Sequence, residues 1–185
     1  MKNFFKLIIS FFIIVVLFLI FIKYFGIDKI ILKRVYPKTY LEYVQTASEK
    51  YGVKENLIFA IIKNESNFKN SISSHKGAQG LMQLMETTAI EVAQKNGISS
   101  VDLSNPKINI EIGTCYYKFL FDKYNDEGLA LAAYNAGSGN VDKWIQSGKL
   151  KSDGSDIENI PYKETNMYVR KVLQTVKMYE YIYEN

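Results

Sequence analysis

The chain has 185 residues, a formal net charge of +4, one cysteine and one histidine. A single cysteine excludes an intrachain disulfide and a zinc site built from several thiolates, and a single histidine weakens any metal cluster or Ser-His-Asp triad. The positive excess lies in residues 1–34, which carry +5, whereas residues 35–185 carry −1. Most of the chain therefore lacks the basic surface expected of a nucleic-acid-binding protein.

Residues 7–22 are uncharged and almost entirely apolar, with two lysines before them and Lys23 after them. About 16 residues at ~1.5 Å each span roughly 24 Å, somewhat less than a ~30 Å hydrocarbon core. A cleaved signal peptide is the alternative, but no small-x-small cleavage pattern follows the apolar run. We therefore predict an uncleaved transmembrane signal-anchor in residues 1–26, followed by a juxtamembrane stalk in residues 27–38.

The rest of the chain has the pattern of helices joined by short loops. Apolar residues recur at helical spacing, glycines stand where helices should end, and Asn105-Pro106 is a good helix start because a capping side chain precedes proline at the first turn. The predicted helices span residues 39–51, 54–66, 87–96, 105–124, 127–136, 141–147 and 163–183. Because no strand pattern is evident, residues 39–185 are predicted to form one all-α domain.

Glu65 is the strongest candidate for a catalytic residue. Ile58, Ile61 and Ile62 lie seven, four and three residues before it, so its carboxyl group shares their apolar helix face. Burial disfavours the charged form and raises the pKa of a carboxyl group from its usual ~4.3, which is what a general acid needs near neutral pH. The alternative is a glutamate at a helix end that turns toward water.

Three further motifs follow Glu65-Ser66 along the chain. They are Gly80-Leu81-Met82-Gln83-Leu84-Met85, then Ala133-Tyr134-Asn135-Ala136-Gly137, and finally Ile160-Pro161-Tyr162-Lys163-Glu164-Thr165 with Tyr168-Val169 after it. In this order and spacing, residues 40–180 closely resemble the soluble lytic transglycosylase (SLT) domain family. The resemblance implies a goose-type lysozyme-like fold, preceded here by a single transmembrane helix, and a lyase that acts on bacterial peptidoglycan.

The residue types in two of these motifs suit a sugar-binding cleft. The Gln83 amide offers a donor and an acceptor to acetamido and hydroxyl groups. Met82 can be a plain core residue, but its adaptable thioether can also line a sugar subsite. Tyr134 and Asn135 precede a glycine that ends their helix, which can place both side chains at a cleft wall. Helix capping and core packing are the alternatives for these two residues.

Glu164 and Tyr168 lie four residues apart on one predicted helix and therefore share a face. A local hydrogen bond at the surface would explain this spacing equally well. The resemblance implies instead that the pair lies at the active-site cleft, that Ser66 supports the catalytic residue, and that Ser74 hydrogen-bonds to the catalytic carboxylate.

Glycosidases commonly use two carboxyl groups, but no second acid in the sequence has a claim comparable to that of Glu65. The resemblance implies that one acid suffices because the substrate supplies its own nucleophile. Glu65 is expected to protonate the oxygen that joins N-acetylmuramic acid to N-acetylglucosamine. It is then expected to deprotonate the C6 hydroxyl group, which closes a 1,6-anhydro ring without any metal or other cofactor.

Two other functions fit the same motifs. A muramidase would hydrolyse the same bond with water, and an inactive envelope module would bind peptidoglycan strands without cleaving them. A small helical membrane adaptor would make the four motifs a coincidence.

Basic residues flank the apolar segment on both sides, two before it and four after it. Because positive charges favour the cytoplasmic side, this distribution leans against an extracytoplasmic domain after the anchor. We nevertheless expect a single-pass protein of the cell membrane with residues 39–185 on the cell-wall side, and this expectation rests on the inferred chemistry. The partners expected are peptidoglycan strands and the membrane, with no nucleic acid.

Overall fold

The computed structural model describes residues 2–24 and 26–184, so Met1, Phe25 and Asn185 of the predicted segments 1–26 and 39–185 lie outside the described residues. The chain divides into two compact units, residues 1–37 and residues 38–185. The helices of the first unit are α1 (Lys2–Tyr24) and α2 (Ile27–Val35). Those of the second unit are α3 (Leu41–Tyr51), α4 (Glu55–Ser66), α5 (Glu86–Asn96), α6 (Pro106–Tyr124), α7 (Glu127–Ala136), α8 (Ser138–Gln146) and α9 (Lys163–Tyr183), with a 3-10 turn at Ile157–Asn159.

Helix α1 is long and apolar enough to cross a membrane. Its 23 residues extend over roughly 34 Å at ~1.5 Å each. The large apolar side chains between Phe4 and Phe21 are mostly exposed, as a lipid-facing helix requires. An N-terminal signal sequence meets the same criteria of length and composition.

The segment predicted as a stalk contains a helix, α2. Ile30, Ile31 and Val35 are exposed on it, while Lys33 and Arg34 occupy its last turn, where positive charge is favourable. The segment predicted as a stalk is therefore helical over most of its length.

The second unit is built around two helices that are buried on every side. In α4 every residue from Asn56 to Ile62 is buried, and in α7 every residue from Gly128 to Ala133. A helix that is apolar all round belongs to the interior of a domain. Helices α3 and α9 pack on α4, whereas α6, α8 and α9 pack on α7.

The predicted all-α class is confirmed, since the described residues form helices and only two isolated β-bridges. Asn105 caps α6 as predicted, with its side-chain oxygen accepting from the backbone N–H groups of Lys107 and Ile108. Helix α8 begins at Ser138 rather than at residue 141, because Gly137 (φ 86°) both ends α7 and begins α8.

A long loop joins α4 to α5 and is held against the start of α6. Gly80 (φ 77°) approaches α6 so closely that a Cβ atom there would collide with the Asn109 amide and with the Leu103 carbonyl oxygen. The fully buried Asn109 accepts from the backbone N–H of Met82 at 2.8 Å. Its amide nitrogen donates to the carbonyl oxygens of Gln79 and Leu103, both at 3.0 Å. The Asn109 side chain thus fixes the loop between α4 and α5 against α6.

Candidate active site

Glu65 lies in the last turn of α4, one residue before the helix ends at Ser66. Because the preceding turns are buried on every side, this last turn carries the carboxyl group from the core to the edge of a cleft, where Glu65 is only partly exposed. Burial raises the pKa of the Glu65 carboxyl group to about 7, while hydrogen bonding to Tyr168 acts in the opposite direction. Near neutral pH the Glu65 carboxyl group can therefore hold the proton that a general acid donates.

Two tyrosines lie beside this carboxyl group. Tyr168 comes from α9 and Tyr134 from α7, and burial raises the pKa of both phenols well above the usual value, with the charge of Glu65 adding to the effect. The Tyr168 hydroxyl is buried without a partner of full hydrogen-bond geometry in the described structure, so its contact with Glu65 is long or poorly aligned. Such contacts commonly tighten when substrate binds.

The cleft beside Glu65 has a volume of about 490 Å³, within the range of ligand sites. Three predicted site residues line it together with Glu65, namely Asn135, Glu164 and Tyr168. Lys163, Met167 and Lys171 of α9 line it as well, and sequence reasoning missed all three. Their spacing could have predicted this position, because the three residues are four apart on one helix and lie next to the row formed by Glu164 and Tyr168.

Asn135 is exposed at the end of α7 and is held by a hydrogen bond from α9. The Thr165 hydroxyl donates to its side-chain oxygen at 2.8 Å. Thr165 is itself buried, so this bond ties the mobile end of the Asn135 side chain to a fixed point in the wall of the cleft.

The loop residue Met82 is placed in the core. Its side chain is fully buried and packs so closely on Gly113 of α6 that no Cβ atom would fit there. Its carbonyl oxygen accepts a 2.9 Å hydrogen bond from the Tyr134 hydroxyl. Met82 therefore positions Tyr134 through its backbone, and the predicted contact of its thioether with a sugar stays a prediction.

Gln83 has a left-handed backbone (φ 47°), a conformation that costs free energy for a residue other than glycine. Its amide nitrogen donates to the carbonyl oxygens of Ile72 at 3.0 Å and Gly80 at 2.8 Å. These two bonds hold the loop in its turn. The amide nitrogen is thus occupied by the protein, and a ligand contact would use the side-chain oxygen.

The two predicted serines make their hydrogen bonds close to their own positions in the chain. The Ser66 hydroxyl is buried and donates to the carbonyl oxygen of Ile62 one turn earlier in α4. The Ser74 hydroxyl accepts from the backbone N–H of Ala78 at 3.0 Å. A hydrogen bond from Ser74 to Glu65 stays a prediction.

Acids also lie in other hollows, including Glu111 beside Lys50, but those hollows suit a catalytic acid less well. Burial raises the pKa of the Glu127 carboxyl group, and the charge of Lys54 acts in the opposite direction. The pocket that contains Glu127 has a volume of about 150 Å³, which is too small for a disaccharide. A groove of about 300 Å³ between α5 and α6 contains Glu91 and Asp122, both of which are exposed. Among the described residues, no group of three or more His, Cys, Asp and Glu side chains could hold a metal ion.

Fold and site together define an all-α domain of the lysozyme-like class with one partly buried glutamate in an open cleft. The sequence profile of the transglycosylase SLT domain matches residues 42–157. That match covers more than half of the chain, and the chain therefore belongs to the transglycosylase SLT domain family.

Named relatives agree with this assignment. The chain is 32% identical over 152 residues to the soluble lytic murein transglycosylase of Escherichia coli K12, a match that covers 79% of the chain and 24% of the relative. It is 33% identical over 168 residues to the membrane-bound lytic murein transglycosylase C of Edwardsiella ictaluri, covering 77% of the chain and 47% of the relative. The chain thus spans between a quarter and a half of the length of these relatives.

A solved structure supports the fold. An inactive mutant of the lytic transglycosylase Slt from Pseudomonas aeruginosa superimposes with a TM-score of 0.74 at 35% sequence identity. The superposition covers 81% of this chain and 25% of that one. The predicted lysozyme-like SLT fold is confirmed.

Proposed function

We propose that residues 39–185 cleave peptidoglycan as a lytic transglycosylase, with Glu65 as the only acid and base. The observation that carries this proposal is the Glu65 carboxyl group with its pKa raised to about 7 at the edge of a cleft of about 490 Å³. The names of the relatives, which are lytic murein transglycosylases, support the same substrate and reaction.

The proposed reaction begins when Glu65 donates its proton to the oxygen between N-acetylmuramic acid and N-acetylglucosamine. As the bond from that oxygen to the muramic C1 breaks, the 2-acetamido oxygen of the same sugar bonds to C1 and stabilises the positive charge. The Glu65 carboxylate then takes the proton of the C6 hydroxyl group. The C6 oxygen displaces the acetamido oxygen from C1, which closes the 1,6-anhydro ring and leaves Glu65 protonated again.

No water is consumed in this sequence, and the attacking hydroxyl group belongs to the sugar that is being cleaved. Intramolecular attack has a large advantage in effective concentration over attack by an external water molecule. One carboxyl group serves both steps because its pKa lies near the working pH, where each protonation state is well populated.

The residues around the cleft have proposed roles that follow from their contacts. Tyr168 holds the carboxylate form of Glu65 through its hydroxyl group, while Asn135 and Glu164 contact the substrate from the cleft wall. Tyr134 is held by the Met82 carbonyl close enough for the charge of Glu65 to act on its phenol, and its proposed role is to contact the sugar next to the scissile bond.

The loop residues complete the proposed site. The side-chain oxygen of Gln83 accepts from the sugar, while its amide nitrogen holds the loop. Ser74 and Met82 are proposed to contact the carboxylate and the sugar respectively once substrate is bound. Ser66 supports Glu65 by fixing the last turn of α4.

We also propose that residues 1–26 anchor the protein in the cell membrane, that residues 27–38 form a stalk, and that the catalytic domain faces the cell wall. Helix α1 has the length and composition of a membrane span, and a membrane-bound form occurs among the relatives. Peptidoglycan lies outside the membrane, so only this orientation brings the cleft to its substrate.

The test is cleavage of purified peptidoglycan by the full-length chain and by Glu65→Gln, with products identified by mass spectrometry. Products that end in 1,6-anhydro-N-acetylmuramic acid, together with a loss of at least a thousandfold in Glu65→Gln, are expected. Reducible muramic ends would show a muramidase. Strand binding without cleavage by the wild type would show a binding module.

A further inference from the structure

Helix α2 has an apolar face that lies open to its surroundings. Ile27, Ile31 and Val35 are spaced by four residues, so they share one face of the helix. Ile31 is 59% exposed and Val35 is 50% exposed. None of the nine residues of α2, all of which the structure describes, is buried. A helix that stands in water is expected to be polar on every side, so this face indicates contact with an apolar surface.

The opposite face of α2 carries positive charge. Lys29 and Lys33 each lie two residues from Ile31, which places them about 160° away from it around the helix axis. Arg34 adds a third positive charge, and Asp28 is the one acid in the helix, so α2 has a net charge of +2. An apolar face opposite a basic face is typical of helices that lie in the surface of an anionic membrane.

Length and composition disfavour α2 as a helix surrounded by water. Its nine residues are fewer than the ~12–15 that an isolated helix needs in water. Four of them, namely Ile27, Ile30, Ile31 and Val35, are β-branched, a side-chain type with a lower helix propensity than the straight-chain residues. A surface that buries the apolar face would supply the stability that α2 lacks by itself.

The position of α2 beside α1 indicates which surface this is. Helix α1 ends at Tyr24 and α2 begins at Ile27. Tyr24 is 83% exposed, and tyrosine is enriched where a membrane span meets water. Gly26 between the helices has a left-handed backbone (φ 64°), a conformation that glycine adopts readily and that interrupts a helix. If α1 spans the membrane, α2 therefore begins at the level of the lipid headgroups and is free to leave the direction of α1.

We propose that α2 lies in the membrane surface, with its apolar face among the lipid chains and Lys29 and Lys33 beside anionic headgroups. The inference rests on the proposed membrane anchor. An upright α2 would carry the chain about 13 Å away from the membrane, whereas a lying α2 leaves it at the surface. The basic residues that follow the anchor then have a role on either side of the membrane, including the cell-wall side.

The first experiment measures how deep each face of α2 lies. A nitroxide is attached to Ile31→Cys or to Lys33→Cys in the full-length chain with Cys115→Ala, reconstituted in vesicles of phosphatidylcholine and phosphatidylglycerol. We expect the label at position 31 to lie roughly 5–10 Å below the lipid phosphates and to collide with oxygen dissolved in the lipid. The label at position 33, on the opposite face, should collide with a water-soluble nickel complex.

The second experiment measures the preference for anionic lipid. Spin-labelled phosphatidylglycerol is compared with spin-labelled phosphatidylcholine at the protein boundary. Each basic side chain near an anionic surface contributes roughly a factor of five. We therefore expect phosphatidylglycerol to be enriched beside the wild type, and the enrichment to fall at least twofold in Lys29→Gln/Lys33→Gln. Lys69→Gln, which removes an exposed lysine outside α2, is the control and should keep the enrichment.

Each other outcome overturns the proposal in a recognisable way. Nickel collisions at both positions would mean an upright helix in water, and oxygen collisions at both would mean that α2 continues the membrane span. Shielding of position 31 from both reagents would mean that protein covers the apolar face, either the rest of the chain or a second copy. Unchanged enrichment in the double variant would exclude anionic lipid as the ligand.

Failure of the anchor itself gives a different result. A nitroxide on Phe12→Cys, near the middle of α1, should be reached by oxygen and shielded from nickel if α1 spans the bilayer. Nickel collisions at position 12 would overturn the proposed anchor, whatever the labels on α2 report.

Discussion

The Thr165 hydroxyl donates a 2.8 Å hydrogen bond to the side-chain oxygen of Asn135 and so joins α9 to the end of α7 beside the cleft. Asn135 is exposed, whereas Thr165 is buried. The bond therefore fixes a side chain that would otherwise sample several rotamers in water. Asn135 lines the cleft with Glu65, so its orientation bears directly on the proposed substrate site.

Thr165→Val keeps the shape of the side chain and removes the donor to Asn135. We expect kcat/KM on peptidoglycan to fall about fivefold, which corresponds to the roughly 1 kcal/mol of one hydrogen bond. Thr165→Ser keeps the hydroxyl group and should retain most of the activity. A Val variant as active as the Ser variant would mean that the orientation of Asn135 does not matter.

The raised pKa of Glu65 predicts a stability that depends on pH. Below pH 4.5 the carboxyl group is protonated in both the folded and the unfolded chain. Between pH 4.5 and about 7 the unfolded chain loses its proton first, so the folded state loses stability as the pH rises. The full cost is about 3 kcal/mol above pH 7, from ~1.4 kcal/mol per pKa unit.

Glu65→Gln should therefore unfold at higher temperature or denaturant concentration than wild type at pH 8 and match it at pH 4. Chemical denaturation at the two pH values measures this difference directly. Glu91→Gln is the control, because that carboxylate is exposed in the middle of α5 and its replacement should leave the curve nearly unchanged. A wild-type advantage over Glu65→Gln at pH 8 would contradict the burial argument.

Tyr168→Phe should change the pH profile of the reaction. The Tyr168 hydroxyl lowers the pKa of Glu65 against the effect of burial, so its removal should raise that pKa further. The alkaline limb of kcat/KM, where the general acid is lost, is then expected to move to higher pH, and the maximal rate to fall because the carboxylate form loses its support. Measuring kcat/KM from pH 4 to pH 9 tests this prediction. An alkaline limb at the same pH as in wild type would exclude a hydrogen bond from Tyr168 to Glu65.

The sequence predicts the all-α class and most helix bounds because these depend on local periodicity and caps. It shows Glu65 on an apolar helix face, but not that α4 is buried on every side, since that depends on the helices packed around it. The positions of Lys163, Met167 and Lys171 in the cleft were missed, because only Glu164 and Tyr168 of this helix were predicted to lie there.

Contacts between distant parts of the chain are the least predictable feature. Whether Met82 lies in the core could not be decided from the sequence, because its position depends on Gly113 of α6, 31 residues later, lying opposite its side chain. In the sequence, Asn109 is a polar residue near the start of a predicted helix and belongs to none of the four motifs. Only the folded loop shows that its amide has three backbone partners.

Asn109→Ala is expected to lower the free energy of unfolding by about 3 kcal/mol. The fully buried Asn109 amide accepts from Met82 and donates to Gln79 and Leu103. Its removal leaves buried backbone groups without partners, at ~1–3 kcal/mol for each group that water cannot reach. Asn96→Ala, which loses one bond on an exposed helix surface, is the control and should cost under ~0.5 kcal/mol.

The same loop carries Met82 and Gln83 toward Tyr134 and the cleft, so Asn109→Ala should also reduce kcat/KM at temperatures where the variant is still folded. Gly80→Ala should act through the same contact, since its Cβ atom would strike the Asn109 amide. The free-energy costs of the two substitutions should therefore sum to more than the cost of the double variant. Strict additivity in urea denaturation would show that Gly80 and Asn109 act independently.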